Sequence, residues 1–259
     1  MTKLKAWMKN DWKETKVLFK CLPAFPFAIL CAALIAMNFL ANKGIVATNW
    51  ISVDAGIIVS WVSFLAGDTL VKRFGPKAAI KINIAAISVQ LLAILLLTAG
   101  ATIPWADPST AMAGFDTIFG AAMWPLAAGT GAFIIAIIFD SFISKFILTR
   151  FKDRTSFKAY AVASYGSTFI GQFLDNLLFA LFFSVWQPWC DPSSIWLMAL
   201  AGAVVELICQ AIFSPVGYRV ASNWRKNGIG NEYISMVKEA QEVNDDGTHK
   251  IMSSGGAVA

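Results

Sequence analysis

Residues 159–186 read AYAVASYGSTFIGQFLDNLLFALFFSVW, a run without Lys, Arg, Glu or His that still holds Ser167, Thr168, Gln172, Asp175 and Asn176. About 20 predominantly apolar residues suffice to cross a bilayer core, so this run predicts a membrane helix with polar groups placed inside it. Five further runs of comparable length lie at 21–41, 51–71, 82–103, 118–144 and 195–218. The composition agrees: 57% of residues are hydrophobic and 14% charged, against about 45–50% and roughly 25% in soluble domains. The expected architecture is all-α, a polytopic membrane protein built as a six-transmembrane-helix bundle.

The net charge of +5 could suggest a nucleic-acid partner, but its distribution argues for a membrane topology instead. Six basic residues precede the first run, one (Lys43) follows it, four lie between runs 2 and 3, five between 4 and 5, and five from Arg219 onward. No basic residue falls between runs 3 and 4 or between 5 and 6. Lys and Arg concentrate in cytoplasmic loops, so both termini and the 2–3 and 4–5 connections are expected in the cytoplasm, with 104–117 and 187–194 outside.

This reading divides the chain into a basic N-terminal segment (1–20), a transmembrane domain (21–220) and a polar cytoplasmic tail (221–259). In the first segment Leu4, Trp7, Met8 and Trp12 approximate one helical face, as an interfacial helix would; a frayed basic tail is the alternative. No cleavable signal is expected there, because no small-residue cleavage site follows a short apolar core. Cys21, Cys31, Cys190 and Cys209 form no C-x-x-C pair, and the single histidine, His249, lies in the tail. Metal-ligand spacing is absent, no cofactor is expected, and the cysteines read as small packing residues.

Five carboxylates fall within the runs: Asp54, Asp68, Asp140, Asp175 and Glu206. An acid at the bilayer centre costs about 2.5–3.5 kcal/mol and usually faces a bundle interior or a hydrated cavity. Asp54 is close to an outer end. Asp68 precedes Lys72 by four residues and Asp140 precedes Lys145 by five, so pairing with a cytoplasmic base competes with a direct role for both. Asp175 and Glu206 are mid-span. Thr168, Gln172, Asp175 and Asn176 recur at i, i+4, i+7 and i+8, which places them on one helical face. Glu206 and Gln210 repeat at i, i+4 after Gly202.

Isolated amides in membrane helices often serve only to bond neighbouring helices, at about 0.6 kcal/mol each. A four-member stripe that includes an acid favours a solute site. Acids and amides suit a neutral or cationic solute rich in N–H donors, since a carboxylate accepts two parallel hydrogen bonds from a guanine-type edge. Trp61, Trp124 and Phe179 offer stacking walls. Pro125 with Gly129 and Gly131 is expected to kink the fourth run, and Pro215 with Gly217 to end or bend the sixth. Ala28, Ala32 and Ala36 form a small-x-x-x-small stripe, for which packing inside the bundle is favoured over seating a partner helix.

At NFLANK (38–43), Asp68 with Phe74-Gly75, Asp140 before a basic loop, STFIGQFLD (167–175) and Pro215, the sequence resembles the queuosine precursor transporter family, a vitamin-uptake-transporter-like group. The resemblance spans about 34–218, with the motif at 167–175 its most specific part. It implies six helices, an architecture similar to substrate-binding subunits of energy-coupling-factor transporters, and a cyano- or aminomethyl-deazaguanine cargo. Carried over residue by residue, it touches Asn38, Lys43, Asp68, Asp140, Gln172 and Asp175. It departs at Ile137, where the family often has Gln, and at Glu206, near a position where Lys is common.

The expected function is import of a small purine-like base, probed by Gln172, Asp175 and Glu206 with Thr168 and Asn176 on the same face and Asn38 and Lys43 toward the outside. Expected partners are the solute and membrane lipid, not nucleic acid, with an energising module or a second copy of the chain left open. One alternative keeps the fold but makes the chain a substrate-binding subunit for another vitamin-like solute, working with a separate ATPase. A different class, an intramembrane enzyme using Asp175 and Glu206 as acid and base, lacks a nucleophile motif, H-E-x-x-H or phosphate loop.

Overall fold

The computed structural model describes residues 2–41, 43–47, 52–112, 114–120, 123–184 and 195–240. Cys190, His249, the expected outer loop at 187–194 and the tail beyond 240 lie outside the described residues. The chain forms two compact units, one of 1–23 with 224–259, the other of 24–223.

The first unit contains α1 (Thr2–Cys21) and a second helical stretch at 231–240. They are joined by Tyr233, whose hydroxyl donates to Glu14 Oε1 at 3.1 Å, and by Lys20 Nζ 3.4 Å from Glu232. Leu18, Trp224 and Tyr233 are buried with Glu14. The tyrosine sits against a carboxylate, and burial followed by the Glu14 charge pushes its hydroxyl pKa up. The face that packs is thus Glu14–Leu18. Met8 and Trp12 stay exposed, with Lys16 over the Trp12 ring.

In the second unit the long helices are α2 (Ala24–Leu40), α3 (Ile57–Phe74), α4 (Pro76–Ala101), α6 (Met123–Leu148), α7 (Phe157–Ser184) and α8 (Ile195–Lys226), with a short α5 at Phe115–Gly120. Helices are the expected solution, because a bilayer offers backbone N–H and C=O groups no partner except each other. α4, α6 and α8 are individually long and apolar enough to cross a membrane, and a fourth span results if Met8–Cys21 and Ala24–Leu40 are counted together. Physical reasons separate the others: α2 has only 17 residues, α3 ends in Lys72 and Arg73, and α7 carries the polar stripe.

The run predicted at 51–71 is not helical from its start. Residues 44–47 and 52–54 pair as an antiparallel hairpin, β1 with β2, and α3 begins only at Ile57. Asp54 explains the switch: its Oδ1 accepts from Gly56 N at 2.7 Å, a side-chain turn that competes with helix. At the other end Gly75, at φ +86°, lets the chain reverse into Pro76, which opens α4.

Two proline expectations are corrected. Pro125 lies in the first turn of α6, where the ring is tolerated, not mid-helix. Pro215 is internal to α8, which continues to Lys226, so of the two expectations, an end or a bend, the end is excluded. The alanine stripe is a third correction: Ala28 and Ala32 are exposed, so they do not pack inside the bundle. α6 packs along α7, α4 against α2, α3 and α6, and α3 against α7. Leu177 and Ala180 of α7 meet Ile195 and Ala199 of α8 in a small apolar cluster.

Candidate functional site

Helical geometry separates the α7 stripe by depth. At 1.5 Å per residue, Thr168 and Asn176 are about 12 Å apart along the axis, and each joins a different polar cluster.

The first cluster gathers around Glu206 on α8. Asn176 Nδ2 donates to Glu206 Oε2 at 3.0 Å, and the Ser60 hydroxyl of α3 donates to Oε1. The approach depends on Gly202: a Cβ there would lie 2.9 Å from Asn176 Nδ2. Asp175 is half-buried, and the charged groups that face it are Glu206 and Asp54, both acids. Like charges in a low-dielectric setting repel unless a donor or cation intervenes. One turn away Gln172 is fully buried, and neither its amide nitrogen nor its oxygen has a partner among the described residues. Such an unsatisfied buried amide costs about 1–3 kcal/mol, which a hydrogen-bonding ligand would recover.

The second cluster centres on Asp68 of α3, which is fully buried. Gln210 Nε2 lies 2.6 Å from Asp68 Oδ2, Thr168 Oγ1 donates to the same oxygen at 3.2 Å, and Ser164 also donates to it. Gln210 Nε2 is also 2.6 Å from Thr168 Oγ1 and 2.8 Å from Ser164 Oγ, tying α8 to α7. Lys72 donates to the Tyr160 carbonyl at 2.7 Å, lies 3.5 Å above that ring, and acts on Asp68 electrostatically. Asp140 of α6 is fully buried beside this cluster, while Lys145 is exposed.

The structure therefore brings Thr168 to Asp68 and Asn176 to Glu206, and sets Asp175 toward Glu206 and Asp54. Asn38 is buried on α2, where its Nδ2 bonds Leu34 O at 3.0 Å and its Oδ1 lies against Gly129. Lys43 is exposed at the hairpin and joins neither cluster. Trp61 stacks on Phe213 at 4.3 Å, so its face is already occupied; the Trp124 side chain lies outside the described residues.

Residues 54–220 match the family described as "Putative vitamin uptake transporter". The chain belongs to that family. No curated protein and no solved structure matches it. With three to four candidate spans, this family member is a multi-pass membrane protein, and a small-molecule solute is its expected cargo. The matched stretch contains both polar clusters; Asn38 and Lys43 lie before it.

Sequence reasoning missed Ser60, Ser164 and the α4 amides Asn83 and Gln90 of this vitamin-uptake relative. Asn83 and Gln90 are both buried, and Asn83 Oδ1 and Gln90 Nε2 have no partner among the described residues. Their spacing of seven residues puts them on one face, a signal present in the sequence. Ser60 and Ser164 gave none, since a helical serine usually bonds its own backbone.

Proposed function

We propose that this transporter imports a small purine-like base, a queuosine precursor of the cyano- or aminomethyl-deazaguanine type, through six spans with both termini in the cytoplasm. The observation that carries the reading is Gln172, a fully buried amide with both ends unpartnered among the described residues, one turn from Asp175, whose charged neighbours there are the acids Glu206 and Asp54. Gln172 reads an adjacent donor–acceptor pair, Asp175 accepts from N–H groups, and Asn176 and Glu206 complete the recognition face; Asn38 borders it from α2. An acid-rich face suits a cargo that offers donors or a positive charge and rejects anions. Equilibrium binding of radiolabelled 7-cyano- and 7-aminomethyl-7-deazaguanine to the purified protein tests it: saturable binding of either, competed by the other and not by adenine, is expected. Absence of binding for both overturns the cargo assignment.

A second reading has its own observation. Ala28 and Ala32 are exposed on α2, a small-residue stripe able to seat a partner helix, as a substrate-binding subunit working with an ATPase module would need. Co-purification of a stoichiometric ATPase, lost in Ala32→Leu, favours that arrangement; uptake by the chain alone in liposomes excludes it.

A further inference from the structure

Asp140 differs from the acids that are held by donors. Asp68 accepts from Gln210, Thr168 and Ser164, and Glu206 from Ser60 and Asn176. Asp140 is equally buried, yet neither carboxyl oxygen has a hydrogen-bond partner among the described residues. The groups that act on it are the charges of Asp68 and Lys72 from α3 and the nearby Ser167 hydroxyl of α7, which itself donates to Asp68 Oδ1 at 3.4 Å. α2 and α4 also pack on α6. On its own helix Ser141 and Ser144 are fully buried, their hydroxyls unpartnered among the described residues.

A bare carboxylate without donors is among the most costly groups to bury, whereas its protonated form is neutral and carries its own donor. The arrangement therefore suits a carboxyl that holds a proton while enclosed. We propose that Asp140 is a proton-coupling site: it takes a proton from outside, carries it through the enclosed state and releases it to the cytoplasm, one proton bound and one released per cycle. Sodium fits poorly, because the Lys72 ammonium already faces the same space and like charges repel.

The helix contact supplies a means of coupling. A Cβ at Gly171 would lie 3.0 Å from Asp140 Cβ and 3.1 Å from Phe64 Cε1, so α6 and α7 approach closely only because position 171 has no side chain. Gln172, the next residue, belongs to the proposed cargo face. A change of charge at Asp140, which calls for water or new donors, disturbs the α6–α7 contact beside the amide that reads the cargo.

The coupling rests on the importer reading, and the test separates them. The full chain in lipid vesicles is titrated by infrared spectroscopy for the carbonyl stretch of a protonated carboxyl, with no cargo present. The expected result is a component lost in Asp140→Asn and displaced in Asp140→Glu; spectra unchanged in both variants overturn the proposal. In proteoliposomes, uptake of 7-aminomethyl-7-deazaguanine is then compared with and without an inward proton gradient of about one pH unit, which drives up to about tenfold accumulation for one proton per cargo. The ratio should fall to about one in Asp140→Asn, whatever the absolute rate. Stimulation by a sodium gradient in place of the proton gradient overturns the assignment. Failure of every variant to take up cargo counts against the cargo reading, and the infrared result then decides for Asp140 alone.

Discussion

Glu206→Gln isolates the electrostatic part of recognition. A carboxylate offers about four acceptor positions, and Ser60 and Asn176 occupy two, so acceptor capacity remains for a cargo. A cargo ammonium about 4 Å away gains roughly 4 kcal/mol at an effective dielectric of about 20. Withdrawing both charges from water offsets much of this, and a residue of about 1.4 kcal/mol corresponds to tenfold in affinity. Cationic aminomethyl-deazaguanine should therefore bind about tenfold tighter than the neutral cyano compound. Glu206→Gln should erase that ranking with little change for the neutral ligand. The assay is equilibrium binding of both ligands to both proteins at one ionic strength, with thermal stability recorded in parallel. Equal affinities in the parent protein refute the reasoning. So does a variant that loses stability while keeping the ranking, since Glu206 would then serve only to hold α3 and α7 to α8.

Asp175→Asn and Gln172→Ala should each weaken cargo binding at least about tenfold, from the loss of hydrogen bonds worth about 1.5–3 kcal/mol when charge-assisted; unchanged affinity in both would assign the stripe to helix packing. Gln210→Leu removes a donor from the buried Asp68 carboxylate and should cost about 1–3 kcal/mol, read as a lower melting temperature in detergent. Gly202→Val should push Asn176 away from Glu206 and lower affinity with both residues still present, measured by the same binding assay. For topology, cysteines introduced at Arg150 and at the N-terminus should resist an impermeant thiol reagent added outside, while one at Thr110 should react; the reverse pattern inverts the proposed orientation.

Apolar run length located the six long helices, α2 and α7 to within three residues at both ends and the other four with one end five to eight residues off, because a bilayer admits little besides helix where it is crossed. The hairpin at 44–54 was illegible for a physical reason: Ile45, Val46 and Val53 are as apolar as a span, and only the Asp54 side-chain turn distinguishes them. The stripe Thr168–Asn176 was legible as a face, but periodicity fixes angle rather than depth. Thr168 and Asn176 therefore serve different clusters. Gln210 was readable from its i, i+4 relation to Glu206, though its partner is Asp68, on a helix remote in sequence. Asp140 stands five residues before Lys145, but that lysine is exposed and the charges acting on Asp140 are Asp68 and Lys72 of α3, which no local pattern could show.

The contacts from Glu14 to Tyr233 and from Lys20 to Glu232 bear on arithmetic. Under the proposed topology, with six passages, the chain returns to the face it left, and a contact between residues 14–20 and 232–233 is then geometrically allowed. An odd number of passages between two helices lying outside the bilayer would set them on opposite faces.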